Sequence, residues 1–150
     1  MLVRWALALL HLLGLGIGLG AIWARARALA RMRTDSGAMS QTLTADSWWG
    51  VSALVLIGTG LWRLLAGVEK ETSYYLGNRV FWVKMILLAL ILLLEIRPMI
   101  TLIRWRIGRA RNQSLDLSAA GGLSRVSYLQ TGALVLMVAA ATALTRGFFQ

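Results

Sequence analysis

Residues 80–100 read VFWVKMILLALILLLEIRPMI. The stretch is apolar enough to cross a membrane, yet it holds Lys84 and Glu95. These stand eleven positions apart, close to three helical turns, so both side chains leave one helix face about 16 Å apart along its axis. That separation forbids a direct pair. Each group needs its own partner or a route to water, because a charge at hydrocarbon depth is costly.

The rest of the chain has the same character. Of 150 residues, 58% are hydrophobic and 15% charged, with one proline, no cysteine and seven tryptophans. Several apolar runs exceed about 18 residues, the length that crosses a bilayer core. This predicts an all-α polytopic membrane protein: a single domain over residues 1–150, built as a four-helix up-down bundle. The lack of cysteine excludes disulfides, thiolate metal sites and cysteine-held iron–sulfur clusters. The net charge of +10 comes from arginines flanking the apolar runs, where they attract anionic lipid headgroups at the cytoplasmic face. Membrane lipid is therefore the expected partner, and nucleic acid is not. A homo-oligomer is left open.

Four spans are predicted, at about 2–24, 48–66, 79–103 and 125–145. Arg25, Arg27, Arg31 and Arg33 fall in the first linker, and Arg104, Arg106, Arg109 and Arg111 in the third. Arginine-rich linkers stay in the cytoplasm, so both termini are expected outside, in a multi-pass bacterial inner-membrane protein. The tryptophans agree: Trp5, Trp62 and Trp82 fall near the outer ends of their spans, and Trp23, Trp48, Trp49 and Trp105 near the inner ends. The short link GVEKETSYYLGN (67–78) is expected to make spans two and three antiparallel neighbours. Small residues of the last span (Gly132, Ala133, Ala139, Ala140 and Ala143) are expected to pack against another helix.

Direction gives depth. His11, Arg63 and Lys84 fall in the outer half, with Arg63 close enough to the surface to snorkel. Glu95 falls in the inner half, level with Trp23, Arg25, Tyr128 and Gln130. Its short side chain cannot reach water, so an inner arginine or Tyr128 is expected to donate to it, making a helix-packing clamp. Around His11, Gly14 and Gly18 share its helix face. Such small residues let a second helix approach closely, or they let a flat macrocycle lie beside an axial histidine. No carboxylate pair, nucleophile triad or multi-histidine cage can be assembled. One imidazole cannot hold a structural zinc, but it suffices as a proximal haem ligand, so His11 is the one metal-ligand candidate.

HLLGLGIGLGAIWARARAL (11–29), WWGVSALVLIGTGLWRLLAG (48–67), EKETSYYLGNRVFWVKM (69–85) and LEIRPMITLIRWR (94–106) together resemble a bacterial family of small predicted membrane proteins of unknown function, DUF2214, over nearly the whole chain. A more distant likeness is to HemJ-type protoporphyrinogen oxidases and CopD-type membrane proteins. His11, the glycines of IGTGLW (57–62) and Lys84 match the HemJ layout. That likeness implies haem on the histidine and a functional role for the lysine. The chain departs from it at Glu95, where HemJ proteins have a second histidine. It also shows WARARAL (23–29) in place of the proline–arginine–leucine–phenylalanine segment.

Three functions follow from these readings. The first is haem or tetrapyrrole binding, with His11 as proximal ligand, Lys84 on a carboxylate, and Gly14, Gly18, Gly60 and Arg63 completing the pocket. The second is a noncatalytic membrane scaffold or assembly factor, with the polar residues locking helices. The third is a small permeation protein that works as an oligomer, with Lys84 and Glu95 lining a path.

Overall fold

Lipid offers the backbone no hydrogen-bond partner, so a crossing segment must satisfy its N–H and C=O groups internally. The apolar runs accordingly form helices, even through the glycine-rich stretch after His11. In the computed structural model, which describes residues 1–35, 37–65, 77 and 79–145 but not the side chains of Arg63, Leu64, Val80, Leu144 and Thr145, there are four. They are α1 (Leu2–Ala30), α2 (Ala38–Leu65), α3 (Arg79–Ala110) and α4 (Ala120–Thr145). No strand occurs among the described residues. Most of the 67–78 link, the Ala66 end of the second predicted span and the last five residues lie outside the described set.

The helices run well past the apolar spans at the arginine-rich end, called the inner end. The predicted linkers shrink as a result: Arg25 and Arg27 belong to α1, Asp46 to α2, and Arg104, Arg106 and Arg109 to α3. Local chemistry sets the true ends. Asp35 accepts the Gly37 N–H on Oδ1 at 2.8 Å and the Ala38 N–H on its carbonyl at 3.2 Å, starting α2. Asn112, at φ 52°, closes α3 in the left-handed region that asparagine tolerates. There Gln113 N–H bonds Gly108 O and Asn112 N–H bonds Arg109 O, the paired bonds of a Schellman ending. Asp116 then accepts the Ser118 N–H at 2.9 Å, and the Trp105 indole donates to the Asp116 carbonyl at 3.1 Å, fastening this connection to α3.

Among the described residues, three helices carry a stretch long and apolar enough to cross a membrane: α1, α3 from Phe81, and α4 to Ala143. The fourth, α2, opens with the polar residues Ser40, Gln41, Thr42, Thr44, Asp46 and Ser47 before its apolar stretch begins at Trp48. All packed neighbours are antiparallel. Gly14 faces Val55 and Gly18 faces Ser52, Arg25 meets Ser127, and Gln130 meets Glu95.

Neighbour order departs from the expectation drawn from the short link. The close backbone interfaces are α1–α2, α1–α4 and α3–α4, whereas among the described residues α2 and α3 meet chiefly through side chains, where Arg106 reaches Leu43, Asp46 and Ser47. Small side chains decide this. An ideal Cβ on Gly14 would lie 3.1 Å from Val55 Cγ1, and one on Gly18 would lie 3.2 Å from Ser52 Cβ, so α2 approaches α1 closely where glycine permits. The small-residue stripe expected on α4 is only partly used. Ala133 is buried, but Gly132 and Ala139 face outward, because Ser127, Gln130 and Leu134 make the contact instead.

Burial concentrates toward the inner end. One apolar cluster holds Ala21, Ile22, Trp49, Ile91, Ala133 and Leu134. A second, nearer that end, holds Leu29, Leu102, Trp105, Ala120 and Leu123. Between them lies a layer of charge.

Candidate functional site

Arg25 is completely buried, at 0% exposure, and sits where the four helices converge. A guanidinium has five N–H bonds fixed in a planar fork, and burial demands an acceptor for each. All five are supplied. Nε donates to Ser127 Oγ at 3.2 Å, Nη1 to Asp46 Oδ1 at 2.9 Å and Glu95 Oε1 at 2.7 Å, and Nη2 to Glu95 Oε2 at 2.8 Å and Gln130 Oε1 at 2.9 Å. The Gln130 amide turns its nitrogen back to Glu95 Oε2 at 2.7 Å and to Ile91 O at 3.2 Å. Asp46 takes a second cation, Arg106 Nη2, at 3.0 Å. Arg106 Nη2 also donates to Leu43 O and Ser47 Oγ, tying α3 to α2.

Arg25 and Arg106 thus face Asp46 and Glu95, two charges of each sign on three helices, with α4 adding Ser127 and Gln130. Taking such charges out of water costs several kcal/mol per ion, and only close geometry with every remaining bond made offsets that cost. The arrangement holds helices in register. Both carboxylates of the layer are engaged by cations.

The Glu95 expectation is met: an inner arginine donates to it. Tyr128 does not serve that purpose among the described contacts, and it stacks edge-on against Trp23 with centroids 5.3 Å apart. Asp46, Arg106 and Ser127 were not anticipated. Asp46 lay in a supposed polar linker, although Thr42, Asp46, Trp49 and Ser52 follow helical spacing and could have been read as one face.

In the outer half, His11 Nδ1 lies 2.7 Å from Thr59 Oγ1. Thr59 has a single hydroxyl proton, which it gives to Val55 O at 2.6 Å. Gly60 lies beside the imidazole ring, its ideal Cβ 3.7 Å from His11 Cε1. Lys84 is half-buried on α3, and both it and His11 have further interactions. The Arg63 side chain lies outside the described residues. The faces of Gly14 and Gly18 are filled by Trp49, Ser52, Val55 and Leu56. The space beside these two glycines is taken by α2, so the residues do not fit a porphyrin plane there. No three His, Cys, Asp or Glu residues among those described are grouped to hold a metal ion.

A bundle of long apolar helices, closed at one end by a charge-balanced layer, defines a polytopic membrane protein. The chain belongs to the family described as Predicted membrane protein (DUF2214), whose model matches residues 3–148. No curated protein and no solved structure matches it.

Proposed function

We propose that this protein is a noncatalytic scaffold of the bacterial inner membrane, with four spans, both termini outside and the arginine-rich ends in the cytoplasm. One observation carries the reading: Arg25 spends all five N–H bonds on residues of the other three helices. A site built for turnover keeps a group poised to change its bonding, whereas this layer is saturated. What the bundle offers a partner is shape. Many large apolar side chains face outward, among them Leu54, Leu93 and Leu129, toward lipid or toward another membrane helix.

The test begins with protein purified from its native membrane. Its absorption spectrum and thermal unfolding are compared with those of His11→Ala and Arg25→Met. The scaffold reading expects no Soret band, a His11→Ala variant that unfolds close to the parent, and a marked loss of stability in Arg25→Met. A Soret band that disappears in His11→Ala would replace this reading with tetrapyrrole binding.

A further inference from the structure

A groove of about 820 Å³ opens between α1 and α2. Its α1 wall runs from Ile17 through Gly20 and Ala24 to Arg27 and Arg31, a one-face helical repeat. That wall is about 21 Å long at the helical rise of 1.5 Å per residue, enough to pass from one bilayer half into the headgroups. Its α2 wall is formed by Gln41, Thr44, Ala45 and Trp48. Small residues keep the groove open, since a Cβ added at Gly20 would meet nothing within 4 Å. Trp23 and Trp48 are half-exposed along it, at 48% and 55%.

The two ends differ in chemistry. The deep end is apolar. The mouth carries Arg27 and Arg31, and no carboxylate lines the groove. Arg31 reaches across it, donating from Nη2 to Gln41 Oε1 at 2.8 Å, while its other nitrogen lies 3.8 Å from Asp35 outside the groove. Arg27 is exposed and makes no ion pair among the described residues. An apolar trough ending at two cations and an amide matches one molecule: an acyl chain with an anionic head.

We propose that the α1–α2 groove binds a single anionic phospholipid, its phosphate between Arg27 and Arg31 beside Gln41, and one acyl chain along Gly20, Ala24 and Trp48. The proposal goes beyond the scaffold reading and does not depend on it, because neither Arg25 nor any of its hydrogen-bond partners lines the groove. Each arginine near an anionic headgroup contributes enough for several-fold in retention, and both act on one phosphate.

The experiment is native mass spectrometry of the intact protein released from nanodiscs of mixed phosphatidylglycerol and phosphatidylcholine, counting retained lipids. The parent should hold one phosphatidylglycerol in preference to phosphatidylcholine. Arg27→Gln with Arg31→Gln should lower that preference on the order of tenfold. Gly20→Leu, which fills the trough without touching the arginines, should reduce retention of the bound lipid. Arg109→Gln with Arg111→Gln, exposed cations away from the groove, should change nothing. Equal loss in that control pair would show a diffuse attraction of lipid to basic ends and overturn the proposal. So would undiminished retention in Gly20→Leu, or displacement of the lipid by millimolar inorganic phosphate, which would mark a site for a free anion. If the double variant fails to fold, Arg27→Gln alone decides, since Arg27 is exposed and makes no ion pair among the described residues.

Discussion

Arg25 and Glu95 face each other through two parallel hydrogen bonds of 2.7 and 2.8 Å, joining the first helix to the third across the bundle. Fork-to-fork geometry of this kind gives direction as well as attraction. It fixes the rotation of both helices, because neither side chain can turn without losing both bonds.

Removing one side of this pair should therefore cost far more than removing both. Arg25→Met leaves Glu95 buried without its cation and should destabilise the bundle by about 3–5 kcal/mol, read by unfolding in detergent or by steric trapping. Arg25→Met combined with Glu95→Met should cost clearly less than the sum of the two single changes. Additive losses would show that the residues do not act as a pair.

Thr42 is the opposite case. Its hydroxyl is fully buried and has no hydrogen-bond partner among the described residues. Thr42→Val should raise stability by about 1 kcal/mol, because an unsatisfied buried oxygen is exchanged for a methyl group of similar shape. A loss of the same size would reveal a partner for that oxygen.

Two glycines on one helix should behave differently. Gly18→Val places side-chain atoms against Ser52 and Trp49, where a Cβ alone already comes within 3.2 and 3.3 Å, and should cost about 1–3 kcal/mol. At Gly16 a Cβ meets nothing within 4 Å. Gly16→Ala should be neutral or better, by up to about 1 kcal/mol from helix propensity. The same unfolding assay separates the two.

The connection before α4 should show a pH dependence. The Ser118 backbone N–H, then its hydroxyl, hold the Asp116 carboxyl below its ordinary value of 3.8. A carboxylate depressed by folding stabilises the connection at pH above its unfolded value, and that contribution is lost as pH falls through the lower folded value. An NMR titration should place Asp116 below a free aspartate. Ser118→Ala, which keeps the backbone donor, should move it partway back, and no movement would leave the hydroxyl without a part.

Much of this was legible because depth in a membrane is arithmetic. Once the helices are given a direction, residue number sets height, and that alone brought Glu95 level with Arg25, Trp23 and Gln130. Two things stayed hidden. Hydropathy sees where a segment stops being apolar but not where a helix stops, so it puts Asp46 and Arg106 in linkers, whereas both stand on helices. Neighbour order was hidden too, because in lipid a packed face and a free face are equally apolar, and the periodicity that marks a buried face in water is lost. Small residues do advertise interfaces, but those at 14 and 18 are open to a second reading and those of the last span are only partly used.

The concentration of buried side chains toward one end has a mechanical consequence. In α1 they begin at Gly14, and the described outer end of α3 holds only Phe81 before Ile91. Each helix is in effect a cantilever, rooted at the Arg25 layer and supported less with distance from it. Bending compliance then rises steeply toward the far tips, so changes in bilayer thickness are absorbed there while the root keeps its shape. The chain has no cysteine, so spin labels can be introduced in pairs. Labels at positions 10 and 136 should report a broad distance distribution that shifts with lipid chain length, whereas labels at 30 and 121 should report a narrow one that does not.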